Sequence, residues 1–268
     1  MIINHNMNAL NAHRNMGINN TAAGKSMEKL SSGLRINRAG DDAAGLAVSE
    51  NMRAQIRGMG QAERNVQDGI SMVQTAEGAL EEAGNIAQRM RELGIQAGND
   101  TLSNEDKSKV KEELLQLQDE MKKISEETKF NGKQLLNTAG TFTIQAGANS
   151  ETRTVKTADL SSIAKGISIS TLSTASNAQS LVESIDTALS SINEARSNLG
   201  AMQNRLEYTA ANLTTSTENL TAAESRIRDV DVAKEMVTLS KLNILNQASQ
   251  AMVSQAKQQP ESVSQLLR

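Results

Sequence analysis

Between Gln179 and Leu220 one apolar set recurs every seven residues, as Ile185, Ile192, Leu199, Leu206, Leu213 and Leu220, with Leu181, Ala188, Ala195 and Met202 interleaved. That period keeps one stripe of a helix facing a partner helix and drives a left-handed wrap around it. The seam therefore predicts a long coiled-coil helix, and a helix of this kind is marginal alone in water. The chain must supply company for it.

Two earlier stretches fit. Val110, Leu114, Leu117, Met121 and Ile124 step by four and three, between a Ser103-Asn104-Glu105-Asp106 start and a Phe130-Asn131-Gly132 stop. Val66, Ile70, Val73, Ala76, Leu80, Ala83, Ala87, Met90 and Leu93 form a second stripe. Gly58 and Gly60 are expected to loosen or bend the helix upstream of it, yet 43–98 reads as one rod of roughly 80 Å. The composition agrees with close helix packing: no Trp, one Tyr, two Phe and one Pro, with 38% hydrophobic residues.

The stretch 137–174 changes character, rich in Ser, Thr and Gly. Alternation at Thr141–Gln145 and Thr152–Lys156, around Gly147-Ala148-Asn149-Ser150, predicts a β-hairpin, with Ile167-Ser168-Ile169 as a third short strand. The two ends of the chain resemble each other in design. Ala23, Met27, Leu30 and Leu34 mark one apolar helix; Val230, Val237, Ile244 and Ala251, with Leu245 and Met252 beside them, mark the other. Both are also rich in Asn, Gln and Ser, so each needs the other or a second subunit. The expected fold class is mostly α: long antiparallel helices in a coiled-coil bundle, with a small central β-hairpin region.

Residues suited to chemistry are few. The two histidines, His5 and His13, have no carboxylate at ligand spacing, so neither a metal site nor a Ser/His/Asp site is expected. Gly58-Met59-Gly60 lacks a third glycine and a preceding strand, and Gly24-Lys25-Ser26 lacks the earlier glycine of a phosphate loop. Asp41-Asp42 reads as helix capping, and Asp229 and Asp231 admit the same reading. A net charge of −3, from 28 basic and 31 acidic residues, gives no field to draw in nucleic acid. The chain has no cysteine and no run near the roughly 20 apolar residues that span a bilayer, and its start, Met-Ile-Ile-Asn-His-Asn, is not expected to act as a classical secretory signal. By those signals alone it reads as a cytoplasmic structural or assembly protein without a cofactor.

The run from Leu30 to Gly58, LSSGLRINRAGDDAAGLAVSENMRAQIRG, closely resembles the N-terminal signature of bacterial flagellins. The run from Ser225 to Ser240, SRIRDVDVAKEMVTLS, then Asn246-Gln-Ala-Ser-Gln-Ala-Met and the closing Ser264–Arg268, is similar to the flagellin C-terminus. The resemblance covers about 1–137 and 175–268. It implies a hairpin-shaped subunit with two domains: an inner coiled-coil domain of 1–42 plus 225–268, and an outer helical rod of 43–224 carrying the β region at about 130–174. Large outer domains of many flagellins would be nearly absent.

The resemblance further implies a non-enzymatic subunit that polymerises with itself into a flagellar filament outside the cell. Export would use the flagellar type III channel without a cleaved signal, which replaces the cytoplasmic reading. Implied partners are an export chaperone on the C-terminal helix around Val237 to Met252, the filament cap and the hook–filament junction proteins. Gln88–Gln96 with Glu113 also resembles the flagellin site seen by a vertebrate Toll-like receptor, with Arg89, Leu93 and Glu113 as contacts; Met90 and Gly94 depart from that motif's usual Val and Ala. A hook–filament junction protein is the alternative. A secreted enzyme or a membrane-active toxin would need, respectively, a catalytic insert or a longer apolar run than the sequence contains.

Overall fold

The computed structural model describes residues 6–169 and 175–266, with side-chain surroundings for 6–169 and 176–258. Among them are six helices and two antiparallel ribbons: α1 (Met7–Ser32), α2 (Ala43–Ala97), α3 (Asn104–Glu127), β1 (Lys129–Phe130), β2 (Lys133–Gln134), β3 (Thr141–Gln145), β4 (Thr152–Lys156), α4 (Leu160–Gly166), α5 (Ala175–Arg228) and α6 (Val232–Leu266). The mostly helical class read from the sequence holds. Chain packing defines two units, one of Met1–Ala54 with Asn219–Arg268 and one of Gln55–Glu218, and both α2 and α5 contribute residues to each.

In the unit of 55–218, α2 and α5 run antiparallel. Glu63 meets Thr214, Arg196 lies 4.0 Å and 3.9 Å from Glu77 and Glu81, and Arg91 Nε donates to Asp186 at 2.6 Å. Each step along α2 is matched by an equal step back along α5. Between these polar edges lie Val66, Val73, Ala76, Leu80, Ala83, Ala87 and Met90 of α2, all buried, against Leu181, Ile185, Ile192, Leu199 and Leu206 of α5. Small residues let the backbones approach: a Cβ on Gly84 would lie 3.8 Å from Ile192, and one on Gly94 would lie 3.1 Å from Val182.

The third helix starts where Ser103 accepts from the backbone N–H of Asp106, and it buries Val110, Leu114, Gln118, Met121 and Ser125 at helical spacing. Beyond it the chain turns tightly. Asn131 (φ 48°) and Gly132 (φ 78°) occupy the left-handed region that a two-residue hairpin turn requires, and β1 pairs with β2 across them. This Asn-Gly hairpin stands where the sequence suggested only a helix stop.

The hairpin β3–β4 has the limits and pairing expected, from Thr141 opposite Lys156 to Gln145 opposite Thr152. It lies on α2 through glycines. A Cβ on Gly58 would be 2.9 Å from Ala148 Cβ, and one on Gly69 would be 2.3 Å from Ile144 Cδ1. Asn65 Nδ2 donates to Gln145 O at 3.3 Å between them. This corrects the reading of Gly58 as a weak point, since α2 stays helical there and the missing side chain makes room for the hairpin.

Ile167–Ile169 is not a strand. Asp159 instead caps a short helix, α4, by accepting from the backbone N–H of Ser162. Buried Gln118 of α3 donates from Nε2 to the carbonyls of Ala164 (2.8 Å) and Ile167 (2.9 Å), which ties the end of α4 to α3.

Candidate assembly interface

In the unit built from the two chain ends, α1 opens with Asn6 accepting from the N–H of Ala9 and closes on Gly33 in the left-handed conformation (φ 71°). Asn6 Nδ2 also donates to the carbonyl of Ala256 near the far end of α6, at 2.6 Å. At the opposite end of both helices Leu34 pairs with Asp229 as an antiparallel bridge, and Val230 N donates to Gly33 O at 3.0 Å. α1 therefore pairs antiparallel with α6 along its whole length, from Asn6 beside Ala256 to Leu34 beside Asp229. Arg35 strengthens the clasp, donating from Nε and Nη2 to Ile227 O at 3.1 Å and 2.6 Å.

The acidic residues around this clasp do structural work. Asp41 accepts from the N–H groups of Asn37 and Arg38, which hold its carboxyl below the usual carboxylate range. Asp42 accepts from the N–H of Gly45 and Asp231 from that of Lys234, so both cap helices. Asp229 enters through its backbone bridge to Leu34.

Which side chains the pairing covers decides what the ends can do. On α1 the covered positions are Ala9, Ala12, Met16, Asn19, Ala23, Ser26 and Leu30; on α6 they are Glu235, Leu239, Leu242, Asn246, Ser249, Val253 and Ala256. Both sets are heptads, and most members are small or polar. Asn246 Oδ1 is buried, with no hydrogen-bond partner among the described residues. A polar group at such a position costs stability and penalises other registers.

Many of the larger apolar residues of the two ends lie outside this seam. Val237 is 70% exposed, Ile244 66% and Met252 59%; Leu245, Met236, Met27, Met7, Leu10 and Ile18 are exposed as well. The set Val237, Ile244, Ala251 is displaced by two residues from Glu235, Leu242, Ser249. Two residues turn a helix by about 200°, so the two sets lie on opposite sides of α6. Met236, Val237, Lys241, Ile244 and Leu245 line one shallow apolar cleft there. A second groove runs between the helices, edged by Asn8, Asn11 and Asn15 of α1 and by Leu245, Ala248 and Met252 of α6.

The sequence-predicted residues thus divide. Ala23 is buried in the α1–α6 seam, Leu30, Leu34 and Val230 are half-buried, and Met27, Val237, Ile244, Leu245, Ala251 and Met252 face outward. Ile185, Ile192, Leu199, Leu206 and Leu213 are buried, and Leu220 is half-buried. Arg89 Nη2 donates to Glu113 Oε1 at 3.1 Å, both side chains being half exposed, while Leu93 is only 2% exposed. The raised pKa of Arg89 follows from its hydrogen bonds to Glu92 and Glu113. Sequence reasoning missed the small-residue seam, because a search for large apolar residues passes over Ala, Ser and Asn; the heptad spacing of Ala9, Met16, Ala23 and Leu30 was the signal that could have found it.

Nothing in the described residues gathers three His, Cys, Asp or Glu side chains as a metal site, and no described helix is long and apolar enough to cross a membrane. His13 is exposed on α1, and His5 lies outside the described residues. Both glycine-containing motifs weighed as nucleotide loops sit inside helices, 24–26 in α1 and 58–60 in α2.

Comparison with known proteins agrees with this architecture. The bacterial flagellin N-terminal helical region matches residues 3–141, and the bacterial flagellin C-terminal helical region matches 182–267. A flagellin of Halalkalibacterium halodurans is 58% identical over 273 residues, and a flagellin of Bacillus subtilis 48% over 306, each alignment covering 100% of both chains. The flagellar filament 33 kDa core protein of Treponema phagedenis is 46% identical, again over the whole of both chains. Among solved structures, Bacillus cereus flagellin superposes with a TM-score of 0.52 at 35% identity, covering 60% of this chain and 94% of that one. A putative flagellar hook-associated protein from Vibrio parahaemolyticus reaches a TM-score of 0.59 at 14% identity, covering 70% of this chain and 100% of that one, which is a likeness of fold alone. With both terminal regions matched and full-length identity this high, the chain belongs to the bacterial flagellin family.

Proposed function

We propose that this chain is a structural subunit that polymerises into the bacterial flagellar filament through the outward faces of α1 and α6. The observation that carries the reading is the exposure of Val237, Ile244, Leu245 and Met252 after α1 and α6 have paired. Fully burying a large aliphatic side chain contributes about 1.5–3 kcal/mol. Each of these residues is still partly exposed, so a neighbouring subunit that covers this face gains a part of that contribution from each, and in doing so it stabilises helices that are marginal alone. A head-to-tail contact that does not close produces a helical polymer.

The same face would serve the other flagellar partners. An export chaperone would cover Val237 to Met252 before assembly, and the filament cap and junction proteins would present matching helices at the two ends of the polymer. Absence of cysteine suits a chain exported unfolded through the type III channel, without a cleaved signal, to the flagellum outside the cell. The role is structural, with no catalysis. A vertebrate Toll-like receptor would meet the exposed Arg89–Glu113 pair, with Leu93 supporting α2 from beneath. The junction-protein alternative has weaker support, because the full-length identity lies with flagellins.

The test adds purified chain to short filament seeds and follows their length by electron microscopy. Elongation supports the assembly role; seeds that stay at their starting length, with folded chain in excess, overturn it.

A further inference from the structure

The sequence holds twelve methionines and no cysteine, so thioethers are its only sulfur. Their placement is sharply divided. Met59, Met72, Met90 and Met121, all in the unit of 55–218, are buried, whereas Met7, Met27, Met236 and Met252, all on α1 and α6, are 51–60% exposed. Met16, Met52 and Met202 are partly covered. Met236 lies in the apolar cleft beside Val237 and Ile244, and Met252 borders the groove between the two helices.

We propose that these four exposed methionines are oxidation sites which, once converted to sulfoxide in the unassembled subunit, keep it out of the polymer. The inference rests on the assembly role of the α1 and α6 faces. The step is a two-electron oxygen transfer from a peroxide: the thioether sulfur attacks one peroxide oxygen, the O–O bond breaks and an S–O bond forms. A proton moves to the departing oxygen, and hydrogen peroxide is reduced to water. The product is a polar, chiral sulfoxide where the partner expects an apolar side chain, and burying it without a hydrogen bond is costly. The buried set escapes because packing denies the peroxide access. Once the faces are covered in the filament, the exposed set is shielded too, so sensitivity belongs to the subunit before assembly. The lesion is reversible by methionine sulfoxide reductases.

The experiment treats unassembled chain and preformed filaments with hydrogen peroxide, locates the added oxygen by peptide mass spectrometry, and then offers the treated chain to seeds. Expected are oxidation of Met7, Met27, Met236 and Met252 ahead of Met59, Met72, Met90 and Met121 in the free chain, protection of all four in filaments, and loss of elongation that reductase treatment restores. A variant with all four changed to Leu keeps the apolar volume and should elongate equally before and after peroxide. Oxidised chain that elongates like untreated chain, or a four-Leu variant that loses elongation on treatment as the parent does, overturns the inference. Untreated chain that never elongates the seeds overturns the assembly reading instead, and this inference with it.

Discussion

Arg228, near the end of α5, donates from Nη1 to Oε1 of Glu50 on α2, and this ion pair sits one residue from the backbone bridge between Leu34 and Asp229. Arg228 is buried, and its Nε has no partner among the described residues, so Glu50 supplies the acceptor its guanidinium has there. The hydrogen bond from Arg228 is the largest influence holding the Glu50 carboxyl below its ordinary range. A carboxyl whose folded pKa is depressed stabilises the folded state above its unfolded pKa, and that stabilisation disappears as pH falls through the folded value. The stability of the unit containing 1–54 should therefore decline as pH drops below about 4.3, the ordinary glutamate value. Glu50→Gln should be less stable than the parent at neutral pH, and the gap should narrow in acid; chemical denaturation at a series of pH values measures it.

Glycines in one helix should respond in opposite directions. At Gly78 an added Cβ meets nothing within 4 Å, whereas at Gly58 it meets Ala148 Cβ at 2.9 Å and the backbone Cα at 3.1 Å. Gly78→Ala should stabilise by about 0.5–1 kcal/mol, the helix-propensity gain. Gly58→Ala carries the same gain against an overpacking cost of about 1–3 kcal/mol, and should be neutral to destabilising. Urea midpoints of the two variants check the contrast.

Gln118 is a buried donor serving two carbonyls at the end of α4. Gln118→Ala takes the side-chain donor from both carbonyls, leaving that of Ala164 only the N–H of Ile167, and should cost about 1–3 kcal/mol. Gln118→Glu keeps the size but loses the donors, placing a carboxylate against two carbonyl oxygens, and should be at least as damaging at neutral pH. Amide hydrogen exchange around Ile163 and Ile167, whose N–H groups bond at the ends of α4, reports the loosening directly.

Much of this architecture was legible before the fold was seen, because period and turn chemistry are local signals. The stripe from Val66 to Leu93 and the alternation in Thr141–Gln145 each name one face of one element. Other features depend on information no single segment holds. α4 is about two turns of helix whose end is fixed by Gln118 from another helix, so Ile167 looked like a strand residue by composition alone. The pairing of α1 with α6 follows small residues that permit close approach, and the larger Val237 and Ile244 are left for a partner beyond the chain. Local apolar content marked these ends as adhesive and could not say which face adheres to what.

Two isoleucines separate folding from assembly. Ile192 is fully buried against the glycine-bearing face of α2, and Ile192→Ala should cost about 2–5 kcal/mol of stability. Ile244 is 66% exposed, and Ile244→Ala should change the stability of the unassembled chain by no more than about 0.5 kcal/mol. Thermal denaturation of both proteins below the polymerising concentration compares them.

The most direct test of the central claim is the rate at which seeds elongate with a chain carrying Val237→Ser and Ile244→Ser, set beside the parent at equal concentration. If the outward face of α6 is the assembly surface, the variant keeps the parent's circular dichroism spectrum and fails to elongate the seeds. Elongation at the parent's rate by a variant shown to carry both substitutions would contradict the account.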